Sequence, residues 1–270
     1  MYMRSIILAG LFSVTAQAAA QNPAAIRGNW IADVDGVRHI YLLIVRDTAV
    51  TGTYCVDCND PANLAFVVDG TLEDNGARFT VFHDPGTGAP YRDRVTAELV
   101  DGDLHIERRR EGTSAPVVSM VLVRPTLPPP SDIPAPPVRP AYNPPGPPEP
   151  ITAEKAEGLW IAGTGPRKQY FMIRRVGEQL LGLVCGPCFE PINMAPLDSF
   201  VINGNELLFD IVHQDLNGFT QTEPFANKAR GLMSRNEMHL FVVPSYEDPE
   251  TFTPFDMTLI GPVAYQKSTD

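Results

Sequence analysis

The stretches GNWIA (28–32) and GLWIA (158–162) decide how this chain reads. They lie 130 residues apart, and the same offset aligns much of the chain beyond each of them. Gly52, Cys55, Cys58, Pro61, Asn63 and Ala65 meet Gly182, Cys185, Cys188, Pro191, Asn193 and Ala195. Asn75, Phe79 and His83 meet Asn205, Phe209 and His213. After a four-residue insertion DLHI (103–106) meets EMHL (237–240), and after three more MVLVRP (120–125) meets MTLIGP (257–262). Self-similarity at a fixed offset reads as two copies of one structural unit, here 27–125 and 156–262.

Inside a unit, sustained helical periodicity is absent and short β-rich runs recur instead. In the first unit they fall near 28–34, 37–46, 49–56, 64–69, 77–83, 91–100, 103–109 and 117–124. Asp35-Gly36, Asp74-Asn75-Gly76 and Asp101-Gly102 supply turn chemistry between them. Eight runs in about 100 residues predict an all-β chain. The expected architecture is two tandem antiparallel eight-stranded barrels, or sandwiches. The Gly-x-Trp at 28–30 and 158–160, on the first strand of each unit, resembles that of the lipocalin and calycin barrels. That resemblance implies a lipocalin-like barrel with Trp30 and Trp160 as plugs at one end, in a family whose barrels often hold an apolar ligand.

Between the units runs TLPPPSDIPAPPVRPAYNPPGPPEP (126–150), nearly half of it proline. Proline fixes φ and lacks an amide donor, so this stretch is expected to be an extended linker, taken as 126–155. Its reach at 3.1 Å per residue is at most roughly 78 Å. Arg4, the apolar run Ile6–Val14 and the small residues up to Ala20 read as a signal peptide over 1–20. The run is too short to span a bilayer, so a periplasmic or secreted chain that does not span the membrane is expected. The formal net charge of −11 disfavours nucleic acid as a partner.

In an exported chain, two close cysteines default to a structural disulfide. Cys55 with Cys58, and Cys185 with Cys188, are expected to be so bridged. The sequence VCGPC (184–188) matches a thioredoxin active site, but its copy reads CVDC (55–58), and the turn-like FEPIN (189–193) comes next where a helix would be needed. Zinc would need the cysteines and histidines of a unit to converge. His83 and His213 lie in phase with Phe79 and Phe209, whereas His105 and His239 lie on the other face. No metal and no cofactor is therefore expected.

His83 and His213 are either core histidines or polar groups fixing a ligand in an apolar pocket. The stretch 213–239 adds Asp215, Glu223 and Arg230, which makes the second unit the expected ligand site. Arg108-Arg109-Arg110 reads as exposed strand and turn. The expected function is binding, of a small apolar ligand or an envelope protein. The alternatives are an exported lyase, isomerase or hydrolase with His213 as general base, and a structural accessory protein.

Overall fold

The computed structural model of the chain describes residues 23–56, 58, 63–84, 89–125, 148–163, 168–176, 178–186, 188, 193–213, 225–234, 237–243 and 255–263. The signal-peptide reading and most of the Pro-rich segment lie outside these residues, as do Asp215 and Glu223. Among the described residues no helix is long and apolar enough to cross a membrane.

The chain forms two antiparallel β-barrels in tandem. In the first, α1 (Pro23–Ile26) leads into β1 (Gly28–Val34), β2 (Val37–Arg46), β3 (Ala49–Val56), β4 (Leu64–Glu73), β5 (Gly76–His83), β6 (Tyr91–Val100), β7 (Asp103–Arg110) and β8 (Val118–Leu122). In the second, α2 (Ala153–Ala156) leads into β9 (Gly158–Ala162), β10 (Gln169–Val176), β11 (Gln179–Cys185), β12 (Met194–Asn203), β13 (Glu206–His213), β14 (Phe225–Ser234), β15 (Glu237–Val243) and β16 (Phe255–Val263). Each strand pairs with its sequence neighbour. The second barrel closes by pairing β16 with β9, and the first by a single bridge between Ile31 and Val123. β4 and β12 both carry a register shift, with Asp69 and Ser199 at positive φ inside it.

Alternation along the strands sets inside from outside. In β6, Asp93, Val95 and Ala97 are buried while Arg92, Arg94 and Glu98 are exposed. In β7, Leu104 and Ile106 are buried while His105, Glu107 and Arg109 are exposed. An apolar interior under a charged outer face suits a barrel in water and inverts the pattern of a lipid-facing one. The first interior holds Trp30, Tyr41, Leu43, Phe79, Val81 and Leu104, and the second Trp160, Phe171, Ile173, Leu207, Phe209 and Leu240.

Trp30 and Trp160 are fully buried, and each indole donates to the last carbonyl of the helical turn before it, Ile26 or Ala156, at 2.8 Å. Helical turn and indole lie together where the first strand of each barrel begins. In the first barrel the Arg124 guanidinium lies 4.2 Å over the Trp30 ring and donates to the Ala25 and Arg27 carbonyls. The glycine two residues before Trp30 has a reason. Gly28 has φ +126°, and a Cβ there would sit 2.3 Å from the Arg124 guanidinium.

A third apolar cluster joins the barrels through their outer faces. It unites Ile40, Leu42, Leu64 and Phe66 of the first with Met172, Leu181, Leu183 and Met194 of the second. Both cysteine pairs are disulfides, with Cα–Cα separations of 5.3 and 5.1 Å, and all four cysteines are buried in this cluster. Around it Arg46 pairs with Asp198 and approaches Asp210, and Arg174 donates to the Asp84 carbonyl at 2.8 Å. The run YLLIV (41–45), apolar on both faces, is thereby explained: Tyr41, Leu43 and Val45 fill the barrel, and Leu42 meets the neighbouring barrel. Residues near the end of the Pro-rich segment belong with the second barrel. Glu149 bridges to Met233, the Ile151 amide donates to the Gly204 carbonyl, and Ile151 is buried.

Candidate functional site

Trp30 lies at the end of the first barrel where β1 begins. At the opposite end β3 and β5 finish and β6 starts. The inward positions there are not apolar. Inward parity brings His39 and Tyr41 from β2, Tyr54 from β3, His83 from β5, Tyr91 and Asp93 from β6, and Arg108 and Arg110 from β7. The registers place these residues side by side: Tyr41 opposite Tyr54, His83 opposite Tyr91, Asp93 opposite Arg110, and Val95 opposite Arg108.

Asp93 is the centre of the group and is only 3% exposed. It accepts from Arg110 Nε at 2.6 Å, with Arg108 Nε at 3.6 Å. His83 Nε2 comes to 3.2 Å from its other oxygen, off the line of a hydrogen bond. Burial works against the Asp93 charge, but His83 and Arg110 outweigh it and hold the carboxyl below its ordinary pKa. Burial likewise opposes the Arg108 charge, and Tyr41, Tyr54 and Asp93 more than offset it, so its pKa lies above the ordinary value. Burial pushes the Tyr41 and Tyr54 phenols up. His39 is held down by burial and then by the Arg108 charge, and its Nδ1 lies 2.8 Å from the Tyr54 hydroxyl.

Aromatic rings form the walls. Tyr91 lies between the His83 ring, stacked at 4.3 Å, and the Arg110 guanidinium, 3.4 Å from the ring centre. Tyr54 lies beside Tyr41 at 4.5 Å, with the Arg108 guanidinium 5.2 Å from its ring. These groups enclose a cavity of about 180 Å³, whose rim adds Asn63 and Asp84. Three polar atoms in and under it are buried without a hydrogen-bond partner: His83 Nε2, Arg108 Nη1 and the Tyr41 hydroxyl. Asn63, on the rim, directly precedes β4, whose Leu64 pairs with Cys55 of the disulfide. No helix begins at either cysteine pair among the described residues, and strand β12 starts at Met194, close after Cys188. The first cysteine at a helix N-terminus, on which thioredoxin-like chemistry depends, is not built here. A metal ion would meet one carboxylate under two guanidiniums, a poor environment for a cation.

Of the residues singled out from sequence, His83 stands in this cluster. His213 ends β13 opposite Phe225, and its backbone alone is described. Arg230 is on the outer face of β14, paired with Glu206, and does not face the interior. His105 is exposed, and His239, though on the outer face of β15, is buried. Sequence reading missed Asp93, Arg108, Arg110, Tyr54 and Tyr91. The triple arginine is not a uniformly exposed run, because the strand continues through it: Arg109 points outward, and Arg108 and Arg110 point inward. Extending the alternation of Leu104 and Ile106 by two steps would have located both.

Among the residues whose side chains are described, the corresponding inward positions of the second barrel are apolar or uncharged. Register for register, Phe171 stands for Tyr41, Val184 for Tyr54, Asn227 for Asp93 and Val242 for Arg108. No family model and no curated protein matches the chain. Among solved structures, a chain from Bacteroides fragilis, provisionally described as an outer membrane protein, aligns over 88% of this chain and 98% of its own. Its identity is 9% and its TM-score 0.25, a likeness too slight to bear on fold or function.

Proposed function

We propose that the protein is an exported binding protein made of two copies of a lipocalin-like barrel, and that the open mouth of the first copy holds a small ligand. One observation carries this reading: His83 Nε2 and Arg108 Nη1 are buried without hydrogen-bond partners around one cavity. Buried polar groups are otherwise nearly always paired, and each orphan costs about 1–3 kcal/mol. A ligand or ordered water in the cavity relieves that cost. The lipocalin-like reading draws support from Arg124 lying over Trp30 at the end where β1 begins, since such barrels place a late arginine over their tryptophan. Two formed disulfides support a compartment outside the cytoplasm.

A ligand-observed NMR screen of small fragments against the secreted protein tests the reading. Hits are expected to weaken in Tyr91→Ala and to persist in Phe171→Ala, a substitution inside the second barrel. Hits that ignore Tyr91→Ala, or that map to the second barrel, would refute it.

A further inference from the structure

We propose that the ligand of the first-barrel mouth carries a single carboxylate, held by Arg108 and Arg110. This rests on the reading of that mouth as a ligand site. The argument is one of charge. The ionised groups facing the cavity are Arg108, Arg110 and Asp93, with His83 beside them. Asp84, at the rim, is engaged by Arg174 of the second barrel, its carboxylate 3.5 Å from that guanidinium. Burial keeps the Tyr41 and Tyr54 phenols uncharged near neutral pH. Two guanidiniums on one carboxylate leave positive charge over, in a chain whose net charge is −11. A charge partly withdrawn from water is costly unless it is paired.

Geometry narrows the partner. Arg110 uses its Nε on Asp93 and is 38% exposed at the rim, and Arg108 keeps Nη1 buried with no acceptor. A carboxylate matches a guanidinium in plane and can accept two bonds at once. It also offsets the surplus positive charge. A cavity of 180 Å³ holds about six water volumes, enough for a carboxylate on a short or flat stem. The Tyr54 and Tyr91 rings offer such a stem aromatic walls.

Isothermal titration of the full secreted chain with benzoate, its neutral isostere benzamide and inorganic phosphate decides the matter, with amide chemical shifts reporting where each binds. Benzoate is expected to shift mouth residues and to bind roughly tenfold or more tighter than benzamide. Arg110→Gln, with its fold checked by its amide spectrum, is expected to remove that preference, while Arg230→Gln on the outer face of the second barrel leaves it intact. Benzamide binding at the mouth as tightly as benzoate would overturn the carboxylate and leave the mouth as a ligand site. Tighter binding of phosphate there would overturn the carboxylate in the same way. Perturbation of neither the mouth nor Arg110→Gln by any probe would overturn both.

Discussion

The two barrels share strand order, register shifts, disulfide position and a tryptophan bonded to a helical turn, yet their interiors differ at one end. The first has Tyr41, Tyr54, Asp93 and Arg108 where the second has Phe171, Val184, Asn227 and Val242. At its described positions the second closes around side chains that are apolar or, at Asn227, neutral. The charges of the first are therefore not needed to make a barrel. Replacing a buried ion group by apolar residues of similar volume is commonly neutral or stabilising. A group kept against that tendency, around a cavity, points to binding rather than folding.

The largest effect expected concerns the contact between barrels. Leu42, Phe66, Met172 and Leu183 each lose at least part of the roughly 1.5–3 kcal/mol of full side-chain burial if the units part. Each unit also has a core of its own. Fragments 21–125 and 148–270 are expected to unfold cooperatively when alone, less stably than the whole chain, and to reassociate when mixed. Urea titration and gel filtration of the fragments check this. Fragments that show no cooperative unfolding would mean one shared core instead of two.

Next comes the carboxylate that separates the interiors. Asp93→Ala leaves two guanidiniums in the first mouth without their buried anion and is expected to cost about 3–5 kcal/mol. Asn227→Ala, at the matching place, removes a neutral group and is expected to cost about 1 kcal/mol. Equal costs by chemical denaturation would show that the two interiors differ in composition and not in energetics.

The disulfides should behave alike, because both lie in the joint cluster. Closing so short a loop constrains the unfolded chain by about 2 kcal/mol. Cys55→Ser with Cys58→Ser, and Cys185→Ser with Cys188→Ser, should each cost about that much. Only the first pair should also weaken binding at the mouth, since Cys55 pairs with Leu64, next to Asn63 on the rim. Loss of binding from the second pair alone would move the site to the second barrel.

The fold was legible because its signals are local and duplicated. Alternation, turn residues and Gly-x-Trp each recur at a fixed offset, so each copy vouches for the other. The same duplication obscured the site. His213 drew attention because polar residues crowd the stretch after it, and His83 because it matched His213. Asp93, Arg108 and Arg110 have no like residues in the second barrel, where Asn227, Val242 and Pro244 stand in sequence, so comparison of the two stretches passed over them. Arg124 was hidden likewise, because Gly261 occupies its place. The joint apolar face was visible only as strands apolar on both sides, a pattern that does not say what covers it.

The smallest effect expected is a pH dependence confined to the first barrel. His39 stands in its mouth where Gln169 stands in the second. Burial and the Arg108 charge hold its pKa below the ordinary 6.5, partly opposed by Asp33. Neutral His39 can accept the Tyr54 hydroxyl proton at Nδ1, and protonation removes that acceptor. The unfolded chain therefore takes up the proton first as the pH falls. Stability from His39 is fully present above pH 6.5, declines below it, and levels off once the folded protein is also protonated. Denaturation of the full chain and of His39→Gln from about pH 8 to pH 5 isolates this residue, since His83 is common to both. The two profiles should run parallel at the alkaline end and converge or cross as the parent loses stability on the acid side. If they stay parallel throughout, His39 does not titrate differently in the folded state, and the mouth's positive surplus does not reach as far as the start of β2.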